Sequence, residues 1–195
     1  MTKNIVLTGV GGQGTVLASK LIAAAAMAKG LEVKSAETIG MAQRGGSVFS
    51  HLRIGDSVDC PMIAYGEADI ILGFEPGETV RMLPYLKKDG FVVVSDRAVT
   101  PVTASLTGGN YDSKAMLEYL SNKVDNIKII DTDKALNDLG SAKVLNVLLL
   151  GAAVRSGELG ITPDEMVETI RNKVPSKLME LNLKAFDYTS EAGRQ

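Results

Sequence analysis

At 195 residues, with 45% hydrophobic and 23% charged residues, the chain has the size and balance of one soluble globular domain with a sizeable core. The 21 Lys+Arg against 23 Asp+Glu give a net charge of −2 with the signs interspersed, which excludes a basic field for nucleic acid. No apolar run approaches the ~20 residues needed to span a bilayer, and the single cysteine, Cys60, excludes an internal disulfide and suits a reducing cytoplasm.

Met1-Thr2-Lys3-Asn4 leads straight into a predicted strand, Asn4 to Thr8, with no room for a signal peptide. The strand empties into Gly9-Val10-Gly11-Gly12-Gln13-Gly14, and an alanine-rich helix follows from about Gln13 to Lys29, closed by Gly30. Its Ala23 to Ala26 run permits close approach to the sheet. Leu31 to Thr38 reads as the second strand, followed by a polar, glycine-rich loop from Ile39 to Gly46. Ser47 to Ile54 alternates, with Val48, Leu52 and Ile54 on one face and Phe49, His51 and Arg53 on the other. Gly55-Asp56 reads as a two-residue hairpin turn into Ser57 to Cys60, which predicts a mixed sheet.

Ala68 to Phe74 and Phe91 to Ser95 are short apolar runs, the mark of strands buried on both faces. Pro76 to Lys87 is predicted helical, bent or ended by Pro84. A helix around Ser113 to Val124 precedes a strand at Ile127 to Asp131. Ala142 to Arg155 is apolar nearly all round and is expected to be deeply packed. Thr162-Pro163-Asp164-Glu165 combines a capping box with proline at the first helical position, and Met166, Val167, Ile170 and Val174 follow on one side. The last helix, about Ser176 to Asp187, is expected to bury Leu178, Leu181 and Ala185. The alternation of elements predicts a three-layer α/β/α sandwich around a Rossmann-like, mostly parallel mixed sheet with one β-hairpin.

The glycine loop fits Gly-x-Gly-x-x-Gly between a strand and a helix, the context in which the pattern has physical meaning. Gly9 would permit a tight turn, Gly11 would let backbone approach a ligand, and Gly14 would let helix and strand pack closely. The free N–H groups of the first helical turn favour an anion. Glu37, near the end of the second strand, is placed about where a dehydrogenase needs its ribose-binding acid. Against that reading, Gln13 puts a polar side chain inside the loop, and no second domain is left to hold a substrate. A P-loop is excluded, because Thr15 stands where its Lys should follow Gly14. Gln43-Arg44-Gly45-Gly46 should reach the same sheet edge, with Arg44 as a forked cation, so the two loops read as one functional surface.

Other residues read structurally. His51, the only histidine, is expected to be packed or interfacial. Cys60 is expected to be an inert buried thiol at a strand end. Asn146, inside an apolar helix, should hydrogen-bond a neighbouring loop, with a ligand role as the minority reading. Asp131 and Asp133 read as a turn and helix cap rather than a cation site. No metal-ligand cluster, nucleophile motif or carboxylate pair stands out.

Gly9-Val10-Gly11-Gly12-Gln13-Gly14, then Glu37-Thr38-Ile39-Gly40-Met41-Ala42-Gln43-Arg44-Gly45-Gly46-Ser47-Val48 and Ser50-His51-Leu52-Arg53-Ile54-Gly55, resemble the gamma domain of 2-oxoacid:ferredoxin oxidoreductases. Within that group the resemblance is greatest to the beta subunit of indolepyruvate ferredoxin oxidoreductase. Gly66-Glu67-Ala68-Asp69, Glu75-Pro76 with Arg81, Pro84-Tyr85-Leu86, Asn146 with Leu150-Gly151-Ala152, and Leu181 to Phe186 agree. The resemblance spans 1–195 as a single gamma-type domain. Ser105 to Ser113 departs from it, since Asp112 follows Tyr111 where the family usually places Tyr-Pro.

The resemblance implies oxidative decarboxylation of a 2-oxoacid, an aryl pyruvate such as indolepyruvate, to an acyl-CoA, with electrons passed to ferredoxin. It implies thiamine diphosphate, magnesium and iron–sulfur clusters on a larger partner subunit, coenzyme A as co-substrate, and a cytoplasmic complex. One cysteine cannot hold a cluster, and no Gly-Asp-Gly motif with a downstream Asn offers a magnesium–diphosphate site. The chain is then a non-catalytic subunit. Its loops, Gly9, Gly11, Gly12, Gln13 and Gly14 with Gln43, Arg44, Gly45 and Gly46, face the partner and contact an anionic moiety such as the coenzyme A phosphates. Two other readings stay open at this point: a free-standing Rossmann-like nucleotide-binding module, and a structural homodimer that covers the partner face when the chain is isolated.

Overall fold

Strand β1 (Lys3–Val10) carries Ile5, Val6 and Leu7, each fully buried, because helices cover both faces of the sheet around it. The computed structural model describes residues 2–38, 45–100 and 111–191, with side chains to residue 189. Helix α1 (Thr15–Ala28) buries Ala18, Leu21, Ile22, Ala25 and Ala26, one stripe of a 3.6-residue period. It stops where Gly30 adopts φ 78° and the Leu31 N–H reaches back to the Ala26 carbonyl at 3.1 Å.

Next come β2 (Glu32–Glu37), β3 (Ser47–Gly55), β4 (Ala68–Gly73), α2 (Pro76–Met82), a 3-10 turn (Leu83–Tyr85) and β5 (Leu86–Ser95). They are followed by α3 (Ser113–Lys123), β6 (Asn126–Ile130), α4 (Thr132–Leu139), a 3-10 turn (Ala142–Val144), α5 (Leu145–Arg155), α6 (Pro163–Lys173) and α7 (Ser176–Glu191). The six described strands lie in the order β2-β3-β1-β4-β5-β6. β1, β4, β5 and β6 are mutually parallel, whereas β3 runs antiparallel to both β1 and β2.

Alternate residues of the strands feed two cores. Ile5, Leu7, Leu52, Ile54, Ile70 and Leu72 join α1 and α4 to α7 on one side. Val6, Ile71, Val92 and Val94 join α2 and α3 on the other. This is the predicted α/β/α arrangement around a mixed sheet, and β3 alternates as expected.

The source of the mixed character differs from the prediction. Ser57 to Cys60 is not a strand; β2 and β3 form the antiparallel pair, and β3 is wedged against β1. The helix predicted to Lys87 ends earlier, because Pro84 lacks a backbone donor and the chain passes through the 3-10 turn into β5 at Leu86. α7 turns its faces differently too. Leu178 is 39% exposed, and the buried stripe is Asn182, Ala185, Phe186 and Thr189, because the helix is set by its crossing over α5. No helix among the described residues is long and apolar enough to cross a membrane.

Every residue of α5 from Leu145 to Val154 is buried, as its apolar character predicts. Gly151 is where α7 comes closest, since a Cβ there would stand 2.2 Å from the Phe186 carbonyl oxygen. Arg155 seals the crossing, donating to the Phe186 carbonyl at 2.6 Å and to Asp187 at 2.8 Å, with its guanidinium 4.7 Å from the Phe186 ring centre. The α6 capping box is present in both directions, Thr162 Oγ1 accepting from Glu165 N–H at 3.3 Å and Glu165 Oε2 from Thr162 N–H at 2.8 Å.

Gly151→Ala must therefore push two helix backbones apart. It is expected to cost about 2–3 kcal/mol, the upper range of overpacking, and to lower the thermal midpoint by about 4–12 °C for a chain of this size. A midpoint within a degree of wild type in a melting scan would show that α7 crosses elsewhere.

Candidate functional site

The glycine motif lies at the carboxyl edge of the sheet, between β1 and β4, where a strand order that turns in both directions opens a crevice. Each motif residue has a distinct environment. Gly9 lies in β1, paired with Val48, rather than in a turn. A Cβ on it would stand 2.7 Å from Gln13 Oε1 and 2.7 Å from Phe74 Cβ, so its missing side chain makes room for protein. Gln13 folds back into that room. Its Oε1 accepts from Val10 N–H at 2.7 Å and its Nε2 donates to the Phe74 carbonyl at 2.9 Å, lacing β1 to the end of β4.

Gly11 does allow close backbone approach, but the approaching group belongs to this chain: its N–H donates to the Gly46 carbonyl at 2.9 Å. Gly12 has φ 103° with open space where a side chain would be. Gly14, at φ 85°, is the N-cap of α1 and offers no side-chain cap, so first-turn N–H groups stay available. What packs on Gly14 is Asn146 of α5, whose Nδ2 is 2.9 Å from the position of an added Cβ.

The Gly11–Gly46 bond brings the two glycine loops together as the sequence predicted, since Gly45 and Gly46 enter β3 beside the end of β1. Gln43 and Arg44 lie outside the described residues. Glu37 is at the end of β2, but β3 separates β2 from β1. At about 4.8 Å per strand step, the acid is one strand farther from the glycine loop than in a dinucleotide fold, whose second strand neighbours the first.

A buried acidic network, unseen in the sequence as a unit, supports the same edge. Glu75 is 1% exposed and caps α2, with Oε2 accepting from Glu78 N–H at 3.0 Å, while its Oε1 accepts from the Tyr111 hydroxyl. Burial, and then the bond to Glu75, push the Tyr111 hydroxyl well above its usual pKa. Glu78 is 6% exposed and accepts from Ser47 Oγ at 2.5 Å, with Arg81 Nε 3.4 Å away.

On the other side of the glycine loop a cavity of about 340 Å³ is lined by Gly12, Gln13, Gly14, Arg97, Lys143, Leu145 and Asn146, among others. Asn146 is buried; its Oδ1 accepts from Val147 N–H at 3.0 Å, and its Nδ2 has no acceptor among the described residues. The expected bond to a neighbouring loop is therefore replaced by a side chain laid over Gly14 at the cavity. Arg97, two residues past β5, pairs with Asp133 at 3.7 Å. Two cations, a free amide donor and an uncapped helix start make this cavity complementary to an anion. Arg97 and Lys143 carry no joint signal in the sequence, because one lies in the segment after β5 and the other in the 3-10 turn before α5, 46 positions apart. The one signal was the position of Arg97 just beyond a parallel strand, on the edge where such sheets bind ligands.

The remaining residues divide. Asp131 caps α4 by accepting from Lys134 N–H at 3.1 Å, as read. Cys60 is exposed, not buried, because the chain beyond Gly55 leaves the sheet instead of pairing. His51 is 1% exposed, packed edge-on against Tyr85 with ring centres 4.9 Å apart. Its Nδ1 accepts from Ile63 N–H at 3.1 Å, so the ring is neutral with its proton on Nε2, which has no partner among the described residues. Burial lowers its pKa from the ordinary 6.5.

Residues 4–192 match the family model described as pyruvate ferredoxin/flavodoxin oxidoreductase. The chain is 38% identical over 194 residues to the indolepyruvate oxidoreductase subunit IorB of Pyrococcus horikoshii, covering 98% of this chain and 96% of that one. It is 35% identical to the protein of the same name from Thermococcus kodakarensis, again over 194 residues, with 98% and 96% coverage. Among solved structures it resembles the gamma subunit of keto/oxoacid ferredoxin oxidoreductase from Geobacter sulfurreducens, with a TM-score of 0.69, 25% identity, and 97% and 96% coverage.

Gln13→Leu would leave Val10 N–H and the Phe74 carbonyl without partners at a buried strand junction. The expected loss is about 2–4 kcal/mol in denaturant melts; a variant as stable as wild type would show that Gln13 does not lace the strands. His51 predicts a pH dependence. The native ring is held neutral while the unfolded chain takes up a proton near 6.5, so its contribution is complete above that value. Stability should fall by up to about 1.4 kcal/mol per pH unit as the pH drops from about 6.5, levelling off below the lower native pKa. His51→Asn keeps an acceptor for Ile63 without titrating, and its urea midpoint should be flatter across that window; equal slopes would refute the assignment.

Proposed function

The chain belongs to the pyruvate ferredoxin/flavodoxin oxidoreductase family, and from that membership we propose that it is the non-catalytic, gamma-type subunit of a 2-oxoacid:ferredoxin oxidoreductase acting on an aryl pyruvate such as indolepyruvate. In this reading residues 1–195 form one domain that completes a cytoplasmic complex. The complex converts a 2-oxoacid and coenzyme A to acyl-CoA and CO2, and two electrons pass to ferredoxin with release of a proton. Thiamine diphosphate with magnesium supplies the carbanion chemistry and iron–sulfur clusters carry the electrons. Both are assigned to a larger partner subunit: one cysteine supplies too few thiolates for a cluster, and the sequence has no Gly-Asp-Gly motif with a downstream Asn for the magnesium–diphosphate.

The observation that carries the proposal is the 38% identity, over nearly the full length of both chains, to a subunit named for indolepyruvate oxidoreduction. The role of this chain's own residues is to bind and orient. Gly11, Gly12 and Gly14, with Gln43, Arg44, Gly45 and Gly46, are assigned to a face toward the partner and the coenzyme A phosphates. The adjoining cavity supports that role: Arg97 and Lys143 supply charge, Asn146 Nδ2 a directed donor, and the start of α1 free N–H groups. Gly9 and Gln13 act from below, by holding the edge together.

Two measurements test this. Purification of the native protein should bring down a larger, cysteine-rich, brown-coloured chain. In that complex, Arg44→Ala and Lys143→Ala should each raise the coenzyme A KM by about tenfold or more, the worth of a lost charge-assisted bond, or weaken assembly. An unchanged KM with an intact complex would overturn the assignment of these loops.

A further inference from the structure

The last rung of the β1–β3 ladder, Val10 opposite Ser47, adjoins the two-loop face, and strand ends of this kind open readily. Here the end is tethered. The Ser47 hydroxyl donates to Glu78 Oε2 at 2.5 Å, and Glu78 belongs to α2, on the other side of the crevice. The Glu78 backbone is held in turn, its carbonyl accepting from Thr8 Oγ1 at 3.5 Å and its N–H bonded to Glu75 at 3.0 Å. Only Arg81, 65% exposed, stands opposite the Glu78 carboxylate among the described cations.

Glu78 is 6% exposed, and a turn alone would not require a carboxylate at so enclosed a position. An anionic acceptor gives Ser47 a bond about twice as strong as a neutral one. Through Ser47 that bond fixes Gly46, whose carbonyl receives the Gly11 N–H at 2.9 Å. We propose that Glu78 is a positioning residue: its carboxylate, acting through Ser47, holds Gly46 against Gly11 in the first glycine loop. The inference rests on the two-loop reading given above and adds the group that sets the loops' relative placement.

Ser47→Ala and Glu78→Ala, made in the purified complex, should each raise the coenzyme A KM by about tenfold, as expected for losing a bond to a charged group, while kcat at saturating coenzyme A is retained. Glu78→Gln, which keeps an acceptor for Ser47, should recover most of the loss. The double variant should be no worse than Glu78→Ala alone, since both remove one bond. In the full chain on its own, amide exchange at Gly11 should quicken in Ser47→Ala by more than exchange at core amides of β1 such as Val6, which report only the global loss of stability. If Glu78→Ala does not fold, Ser47→Ala still decides. An unchanged Gly11 exchange rate, or an unchanged KM, in folded Ser47→Ala overturns the proposal. Arg44→Ala measured alongside separates the cases: if it raises KM while Ser47→Ala does not, only the positioning role falls, and if neither does, the two-loop reading falls with it.

Discussion

Gln13 makes its two side-chain hydrogen bonds to backbone groups on adjacent parallel strands, one near the end of β1 and one just past the end of β4. Those strands flank the crevice at which the sheet's connections diverge, and the backbone ladder between them ends with the Phe74 N–H donating to the Thr8 carbonyl at 2.8 Å. The rest of the edge builds on that lacing. Gly9 must lack a side chain to admit it, Phe74 is held by it together with the bond to Thr8, and Glu75 follows Phe74 into the cap of α2. In a dinucleotide fold the glycines clear space for a pyrophosphate. Here the space beneath the loop is filled by the protein's own amide, and the open space lies on the flank, at Gly12.

The reversed strand β3 has a matching effect. By entering between β1 and β2 it carries Gly45 and Gly46 to the glycine loop and moves Glu37 one strand away. The same insertion therefore weakens a ribose-binding arrangement and creates the paired-loop face. The edge so built has buried negative charge on its α2 side, in Glu75 and Glu78, and positive charge on its α5 side, in Arg97 and Lys143. The acids are consumed by internal hydrogen bonds, whereas both cations line the cavity, Arg97 with Asp133 3.7 Å away. That asymmetry is what a scaffold needs if it must be stiff and still present an anion-binding surface to a partner.

Much of this architecture was legible in the linear pattern. The capping box at Thr162, the alternation of β3, the all-round apolar α5 and the doubly buried β1, β4 and β5 are consequences of local periodicity and local hydrogen bonding, which a sequence displays directly. The glycine motif and its strand–helix context were equally visible, as was the role of Asp131 as a cap. Against these, the hairpin partner of β3, the exposure of Cys60 and the buried face of α7 depended on which surfaces meet. A strand pattern says that a segment pairs and not with what, and a helix with apolar residues on several sides does not state which side is covered.

The chain's residues by themselves determined an α/β/α fold with a glycine-rich strand–helix junction and a second glycine loop, because short-range constraints of backbone geometry and side-chain period are written in adjacent residues. The tertiary structure alone decided how those loops are used. Gln13 reaches Phe74 across 61 positions and Ser47 reaches Glu78 across 31, while Asn146 lies over Gly14 from a different helix. Bonds of that kind depend on how far elements approach one another in the packed molecule, a distance that no local pattern encodes.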